Sequence, residues 1–353
     1  MSAINYNQLC SALGPRIDCN GQSYLYFGGT AYLGIPQNED FLSLYMEGIK
    51  RYGLNNGTSR NNNVQLGVYE EAEEVAAQRF GAQAGLMVSS GYLAAQLTVQ
   101  YFADWGRVVY APSTHPALWL AGNPEVSGSF GFWSRHVVEL INQSLTNRWV
   151  IISNSVNNLF PEMYDFSFLK SINPDKEVLL IMDDSHGIGV LGNGRGCIAN
   201  VPKLPFLKVV VVASMAKALG VDAGIVLSSA AIISQLKSSP VFVGASPPAA
   251  PALYAFMKAE AIYATELQQL QLLCRYFSDG LGAEKPAFAA IENFPVYLSE
   301  EQQLADILMQ QQVLISSFAY PNPQSELLNR IVLSSWHQQQ DIDILLKHIL
   351  PSF

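Results

Sequence analysis

The chain has 353 residues and a mass of 38.7 kDa, which is long enough for two domains. Because 49% of its residues are hydrophobic and only 14% are charged, it can bury a large core, which excludes a mainly disordered or fibrous protein. The formal net charge of −9 and the lack of any run of Lys or Arg argue against nucleic acid or an anionic membrane as the partner.

The cysteines and the terminal sequence predict a cytoplasmic protein. Four scattered cysteines without a CxxC pair or a His at metal-ligand spacing predict neither a disulfide framework nor a metal site. The first residues lack the basic-then-apolar order of a signal peptide, and no apolar stretch reaches the roughly 18 residues of a membrane span.

Between about residue 40 and residue 235, helical patterns alternate with short, continuously apolar runs. Such runs are typical of strands buried on both faces, so we expect an α/β fold with a mostly parallel sheet and helices on both sides. Ligands of such sheets bind beyond the carboxyl ends of the strands. The predicted helices are Val64–Phe80 and Tyr92–Phe102, and the predicted strands are Gly85–Val88, Arg107–Tyr110, Trp149–Ser153, Val178–Met182 and Lys208–Ala213.

After Pro248 the pattern changes to that of a smaller α+β domain. A long helix is predicted first, then short strands, then an amphipathic helix. We therefore expect an N-terminal segment (1–45), a large α/β domain (46–240), and a connecting helix with a small C-terminal domain (241–353). The predicted elements are the helix Ala249–Leu281, the strands Asn293–Leu298, Val313–Phe318 and Arg330–Ser335, and the helix Gln338–Leu350.

The most informative segment begins where the strand Val178–Met182 ends. Asp183 and Asp184 follow the strand directly, then comes His186 and a glycine-rich turn. Acids in this position occupy the ligand-binding edge of a parallel sheet. Taken alone, Asp183 and His186 could also cap the next turn or form a surface pair.

The same segment contains a formal dinucleotide-binding pattern at Gly187, Gly189 and Gly192. Acidic residues stand between the strand and the first glycine, and the glycines lead into loop-forming residues rather than a helix. No Asp or Glu follows before residue 222, so the acid that would bind the ribose is missing. We interpret the pattern as a coincidence.

A second segment places Lys217 after the strand Lys208–Ala213, among small residues that offer its amine no carboxylate. Desolvation lowers the pKa of a lysine and makes it a usable amine nucleophile, although a lysine at a strand end can also simply reach water. An aldehyde cofactor that forms a Schiff base needs such a lysine and an acid beside its ring nitrogen. Lys217 and Asp183 would supply these two groups.

These two segments and six other short ones, spread over nearly the whole chain, form a set of eight. They are Tyr32–Gly34, Gly57–Arg60, Ser89–Tyr92, Ser113–His115, Asp183–Gly196, Ser214–Gly220, Ser246–Pro248 and Arg330–Leu333. In this order they resemble the α-oxoamine synthases, a family within the fold-type I, or aspartate aminotransferase-like, class of pyridoxal phosphate enzymes. The segment Asp183–Gly196 is the most specific of them.

The resemblance implies a catalytic role for four residues. Lys217 would bind the cofactor aldehyde and later move the α-proton of an amino acid. Asp183 would pair with the pyridinium nitrogen, His186 would approach the phenolic oxygen, and His115 would stack on the ring. Without the resemblance, His115 could be an ordinary turn histidine before a proline.

The resemblance also implies how the cofactor phosphate and the substrate are held. Ser90, Gly91 and Tyr92 would surround the phosphate at a helix start, a site that suits an anion without any added basic residue. Ser214 would also reach the phosphate. Arg330 would bind the substrate carboxylate through two parallel hydrogen bonds, although it could instead be a surface residue at a strand end.

Some positions depart from the family pattern. Asn158 replaces a Ser near the phenolic oxygen, and we still expect it to contact the cofactor. Val243 and Gly244 replace a hydroxyl-bearing pair that holds the phosphate from the partner subunit in relatives. Tyr69 stands at the position of a family His, and the segment before Tyr32 is short. These departures affect mostly substrate and subunit contacts.

From the resemblance we expect a homodimeric enzyme whose active site lies between subunits and which uses pyridoxal 5'-phosphate. Its expected reaction condenses a small amino acid with an acyl-thioester and releases carbon dioxide. Two alternatives remain at this point. One is transamination or other chemistry at the α-carbon, and the other is a non-catalytic protein with the same fold.

Overall fold

The computed structural model describes residues 9–282, 287–320 and 324–350, which form two compact units. The larger unit contains Asp40–Asn157 and Met163–Glu260. The smaller unit contains the described residues up to Glu39, Asn158–Glu162, and those from Ala261 onward. No helix in these three described ranges has the length and apolarity needed to cross a membrane.

The elements are numbered along the chain. The helices are α1 (Glu39–Tyr52), α2 (Val68–Phe80), α3 (Gly91–Tyr101), α4 (Phe130–Gln143), α5 (Ala230–Lys237), α6 (Pro240–Gly244), α7 (Ala250–Lys258), α8 (Glu260–Leu281), α9 (Leu304–Gln310) and α10 (Gln339–Ile349). The strands are β1 (Arg16–Cys19), β2 (Gln22–Phe27), β3 (Ala84–Val88), β4 (Arg107–Tyr110), β5 (Arg148–Asn154), β6 (Val156–Asn157), β7 (Glu162–Met163), β8 (Glu177–Asp183), β9 (Leu207–Ser214), β10 (Gly224–Ser228), β11 (Phe288–Ala290), β12 (Val296–Ser299), β13 (Val313–Ala319) and β14 (Leu327–Val332).

The larger unit is built on a sheet with the strand order β3-β10-β9-β8-β5-β4. Strand β10 is antiparallel to both of its neighbours, and the pairs β9–β8, β8–β5 and β5–β4 are parallel. In the middle of the sheet, residues Val178–Met182 of β8 are completely buried, as expected for a strand covered by helices on both faces. The predicted α/β fold with a mostly parallel sheet is confirmed.

The smaller unit contains a second sheet with the order β1-β2-β13-β14-β12-β11. Only the pair β13–β2 is parallel among the pairs that the structure describes in this sheet. Aromatic contacts fill its core: the ring of Phe277 in α8 meets that of Tyr297 in β12 edge-on at 4.7 Å. His337 stacks on Phe27 with ring centroids 4.3 Å apart.

The structure differs from the sequence-based division at two places. The long helix predicted over Ala249–Leu281 is two helices, α7 and α8, which are separated at Ala259 without a proline or glycine to mark the break. The predicted boundary at residue 240 would separate α7 from the large domain, whereas α7 belongs to the larger unit. Phe256 of α7 stacks on Phe80 of α2, which explains why α7 stays with this unit.

A buried ion-pair network joins the helices of the larger unit to the edge strand β3. The carboxylate of Glu73 in α2 is bound by Arg60 (3.0 Å) and Lys237 (2.6 Å). One of its oxygens also accepts a hydrogen bond from the backbone N–H of Met87 in β3 (3.0 Å). Because Glu73 and Arg60 are both almost completely buried, the charge of each is stabilised by the other instead of by water.

We predict that Glu73→Ala lowers the free energy of unfolding by about 3 kcal/mol, because it leaves the buried guanidinium of Arg60 without its counter-ion. Urea unfolding followed by circular dichroism measures this change. The exposed neighbour in the same helix provides the control, since Glu74→Ala should change stability by no more than about 0.5 kcal/mol. Equal effects of the two substitutions would contradict a structural role for the network.

Candidate active site

The carboxyl ends of five strands meet at one edge of the larger sheet. Strands β9, β8, β5 and β4 run in the same direction, and β3 shares it because β10 is antiparallel to both β3 and β9. The residues that follow these strands therefore lie along one edge, where ligands of such sheets bind. They are Ser90–Tyr92 after β3, His115 after β4, Asn154 at the end of β5, Asp183–His186 after β8, and Ser214–Lys217 after β9.

Lys217 and His186 are in direct contact at this edge. The amine Nζ of Lys217 lies 2.8 Å from Nε2 of His186, and both side chains are half-buried. A hydrogen bond between two nitrogens needs a lone pair on one of them, so at least one of these groups is neutral. A neutral amine is the form that can attack an aldehyde.

Asp183 ends β8 beside this pair, and its side chain is half-buried. Its oxygen Oδ1 accepts a hydrogen bond from the backbone N–H of Ser185 at 2.8 Å, which orients the carboxylate. The charge of Asp183 is also close enough to His115 to favour the protonated form of that imidazole. The charges of Asp183 and Lys217 thus both act on His115.

The ring of His115 is held in one orientation by its local backbone. Its Nδ1 accepts a hydrogen bond from the N–H of Ala117 (3.1 Å), so the proton of the neutral ring is on Nε2. The backbone N–H of His115 donates to Oδ1 of Asn154 (3.1 Å). Removal of solvent by the surrounding protein lowers the pKa of His115, opposed by Asp183 and reinforced by Lys217. His115 therefore presents a neutral, flat ring at this edge.

Helix α3 begins at the same edge, and its first turn fits an anion. The first N–H groups of a helix, here those of Gly91 and Tyr92, have no partner within the helix. Ser90 caps the helix by accepting a hydrogen bond from the N–H of Leu93 (3.1 Å). A Cβ on Gly91 would lie only 2.5 Å from Cβ of Ser214, so the glycine brings the helix start directly against the end of β9. Ser214 and the helix N–H groups together can hold a phosphate.

The glycine-rich turn after β8 is organised by Asp184, which is completely buried. Its carboxylate accepts hydrogen bonds from the hydroxyl of Ser155 (2.5 Å) and the backbone N–H of Cys197 (2.7 Å). A Cβ at Gly187 or Gly196 would collide with this carboxylate. The glycines thus make room for an acid of the protein itself, and no helix begins within this described segment.

Two predicted site residues belong to the smaller unit, and their roles stay predictions. Asn158 lies at the start of its short segment Asn158–Glu162. Arg330 lies in β14, where it is almost completely buried. Burial lowers the pKa of Arg330, and the neighbouring Tyr32 opposes this effect.

One departure from the family pattern, Tyr69, has a local structural explanation. Tyr69 is buried, and its hydroxyl donates to the carbonyl of Pro248 at 3.1 Å. Arg60 lies over the Tyr69 ring, 4.7 Å from its centroid, and 5.5 Å from that of Phe242 in α6. Tyr69 thus ties helix α2 to the Ser246–Pro248 segment within the larger unit.

The sequence analysis missed three residues that position the site. Asn154 holds His115 and, through its side-chain N–H, the carbonyl of Ser113 (2.7 Å). Ser185 accepts a hydrogen bond from the N–H of Ser214 (2.8 Å), which joins the loop after β8 to the end of β9. Asp184 was noted only as a neighbour of Asp183. Its position among glycines was the one signal that could have identified it.

Comparisons with known proteins show the family and the fold. The family model for aminotransferase class I and II matches residues 122–349. The chain is similar to the 8-amino-7-oxononanoate synthase of Chromobacterium violaceum, at 26% identity over 96% of this chain and 92% of that protein. It is also similar to the synthase of Petrotoga mobilis, at 24% identity over 97% of this chain and 92% of that protein.

Solved structures share the fold. A serine palmitoyltransferase from S. paucimobilis with bound PLP and myriocin has a TM-score of 0.81 and 16% identity, over 99% of this chain and 92% of that one. The 8-amino-7-oxononanoate synthase of Francisella tularensis has a TM-score of 0.67 and 18% identity, over 93% of this chain and 98% of that one. These likenesses confirm the predicted fold-type I class.

We predict that Asp184 makes stability depend on pH. Burial raises the pKa of Asp184 from 3.8 to about 6, so the folded protein keeps a proton that the unfolded chain releases between about pH 4 and pH 6. The free energy of unfolding should therefore fall as pH rises through this window, by up to about 1.4 kcal/mol per pH unit, and level off above it. In Asp184→Asn this contribution is absent.

Urea unfolding of both proteins at pH values from 4 to 8 measures the effect, because other titrating groups are common to the two. The stability of Asp184→Asn relative to the original protein should increase with pH up to about 7. Parallel stability curves would show that Asp184 has the same pKa in the folded and unfolded states.

We predict that Gly91→Ala destabilises the protein by about 1–3 kcal/mol, because the added methyl group meets the backbone of Ser214 at 2.7 Å. It should also weaken retention of the cofactor phosphate, because helix α3 has to move. Urea unfolding and cofactor content after dialysis measure these effects.

The control is Gly131→Ala in α4, where an added methyl group has no atom within 4 Å. This variant should be as stable as the original protein or slightly more stable, by up to about 1 kcal/mol. A Gly91→Ala protein that matches this control in both measurements would contradict the close packing of α3 on β9.

Proposed function

The chain belongs to the aminotransferase class I and II family, and from this membership we propose that it is a pyridoxal phosphate enzyme of the α-oxoamine synthase type. We propose that it condenses a small amino acid with an acyl-thioester, which is the reaction implied by the resemblance to the α-oxoamine synthases and is supported by relatives named 8-amino-7-oxononanoate synthase. The observation that carries the proposal is the contact between Lys217 and His186 beside Asp183, at the sheet edge where helix α3 begins.

The side chains at this edge fit pyridoxal phosphate in charge and in shape. The N–H groups at Gly91 and Tyr92, with the hydroxyl of Ser214, would hold its phosphate without a basic residue. The carboxylate of Asp183 would keep its ring nitrogen protonated. When bound, the cofactor supplies an aldehyde that reacts with amines and a ring that withdraws electrons from the α-carbon of an amino acid.

Lys217 is the residue that we assign to proton transfer at the α-carbon. The hydrogen bond to His186 holds this amine in place, and the amine acts as a base in its neutral form. The amine of Lys217 would remove the α-proton of the amino acid as a general base. His186 would keep this amine oriented, and its Nε2 could accept a proton from the amine.

His115 contributes a flat surface rather than a charge. Its lowered pKa and its fixed tautomer keep the imidazole neutral, so it can stack on an aromatic ring without repelling a protonated ring nitrogen. Asp183 is then the charged group that faces that nitrogen. Asn154 acts on the cofactor only through His115, and we regard it as a positioning residue.

The proposed condensation is balanced in atoms. The amino acid loses its carboxyl group as carbon dioxide, its α-carbon forms a bond to the acyl carbonyl carbon, and the thioester sulfur leaves as a free thiol. The carboxyl proton of the amino acid is accounted for by the thiol. We assign binding of the substrate carboxylate to Arg330 and a contact with the cofactor to Asn158, both by their match to the family pattern.

We further propose that the enzyme is a cytoplasmic homodimer. The family resemblance supports the dimer. The cysteines support a reducing compartment, because no disulfide joins Cys10, Cys19, Cys197 or Cys274 in the part of the chain that the structure describes.

Incubation of the purified holoenzyme with alanine and a set of acyl-CoA donors tests the function. We predict release of one free thiol and one carbon dioxide per amino ketone formed. Lys217→Ala should lower this rate by at least about 1,000-fold, because it removes the general base and the cofactor-binding amine. Thiol release is followed with a thiol reagent, and the amino ketone by mass spectrometry.

Lys208→Ala, which removes a half-exposed lysine of β9, the strand that precedes Lys217, is the matched control and should keep full activity. Formation of a keto acid without thiol release would identify an aminotransferase instead. A protein that binds the cofactor but shows no spectral change with any amino acid would be the non-catalytic alternative.

A further inference from the structure

Three buried hydrogen-bond donors in the smaller unit lack an acceptor in the part of the chain that the structure describes. They are Nε of Arg330, Oγ of Ser335 and Nε1 of Trp336. Arg330 and Ser335 are only 4% and 6% exposed, so bulk water does not supply the missing acceptors. Buried polar groups are normally paired, and three exceptions within seven residues indicate a place where a ligand supplies the acceptors.

All three residues lie close to the turn formed by Tyr32, Leu33 and Gly34. The backbone N–H of Ser335 donates to the carbonyl of Tyr32 at 3.0 Å. A Cβ on Gly34 would lie 3.0 Å from Oγ of Ser335 and 3.2 Å from Cβ of Trp336. Gly34, whose φ is +58°, therefore packs directly against these two residues, and a side chain at this position would crowd them. Tyr32 in turn is near enough to Arg330 for each to affect the other's pKa.

The chemistry of the three donors selects an anion. Arg330 forms no salt bridge within the described residues, and burial raises the pKa of its neighbour Tyr32, which keeps that hydroxyl neutral. A buried guanidinium without a counter-ion is unfavourable until an anion binds. The Trp indole donates only and the Ser hydroxyl can donate, so the same anion can accept from all three.

We propose that Ser335 and Trp336 bind the carboxylate of the amino-acid substrate together with Arg330. They would thereby determine the preference for a substrate with a charged carboxylate over one that lacks this charge. This inference rests on the proposed function, which assigns only Arg330 to that carboxylate. A carboxylate has two oxygens with about four acceptor sites, which is enough for the guanidinium and two further donors.

The neighbouring polar residues do not share this property. Oγ of Ser334 donates to the carbonyl of Ala31 at 2.6 Å. His337 is satisfied on both ring nitrogens, through Ser334 and through the carbonyl of Tyr26 at 3.0 Å. The loop therefore pairs Ser334 and His337 internally and leaves the donors of Ser335 and Trp336 for a ligand.

The test is a visible-absorption titration of the holoenzyme with L-alanine and, separately, with L-alanine amide, which keeps the amine and the size but lacks the negative charge. The ratio of the two dissociation constants measures recognition of the carboxylate. In Ser335→Ala and in Trp336→Phe, which keeps an aromatic ring without its N–H, the preference for alanine should fall by about tenfold each.

Ser334→Ala is the matched control, and its preference for alanine should equal that of the original protein. An unchanged preference in either Ser335→Ala or Trp336→Phe overturns the proposal, and so does an equal loss of affinity for both ligands, which would indicate a structural role. If the original protein responds to neither ligand, the proposed function itself fails. If the original protein responds to alanine but the variants keep its preference, this inference fails while the proposed function stands.

Discussion

The shared direction of five strands is the constraint on which the site depends. Because β3, β4, β5, β8 and β9 end at the same edge of the larger sheet, residues far apart in sequence are brought together there. Asp183 at the end of β8 and Lys217 after β9 could not contact the same ligand if these two strands ran in opposite directions. The antiparallel strand β10 preserves this arrangement, since it starts at the same edge with Gly224, where a side chain would collide with the carbonyl of Ser90.

Glycines and one buried acid allow the loops at this edge to pack closely. Asp184 accepts hydrogen bonds from two separate segments, and the glycines around it leave room for its carboxylate. Burial of this acid raises its pKa, so its desolvation opposes folding while its hydrogen bonds fix the loop that carries His186. Gly91 plays a similar part where helix α3 contacts the end of β9. The same two features bring the Lys217–His186 contact and the start of helix α3 to the edge where we propose that the cofactor binds.

Much of the fold could be predicted from the sequence because buried strands are continuously apolar. Strand β4 has the predicted bounds, and β5, β8 and β9 differ from their predictions by one residue at each end. The break at Ala259 could not be predicted, since Lys258, Ala259 and Glu260 are all good helix formers and tertiary packing decides where the helix stops. The antiparallel direction of β10 could not be predicted either, because the residues of a short apolar run do not indicate which way a strand runs in its sheet.

Asp183, His186 and Lys217 were singled out because they follow predicted strands, and the other site residues came from the family resemblance, whereas the supporting contacts were not predicted. Asn154 touches His115 from a strand that is 39 residues away in sequence, and no local pattern connects the two. Ser335 and Trp336 carry no motif, and only their unpaired donors in the folded structure distinguish them from Ser334. Contacts of this kind depend on the packing of distant segments, which hydrophobic periodicity does not describe.

The central claim is that the amine of Lys217 holds an aldehyde cofactor. Reduction of the holoenzyme with borohydride makes the carbon–nitrogen bond between the cofactor and its lysine permanent, and peptide mapping by mass spectrometry then locates it. The account predicts a single pyridoxyl group on the peptide that contains Lys217. A modified peptide that contains any other lysine, or a holoenzyme with no modified peptide, would contradict it.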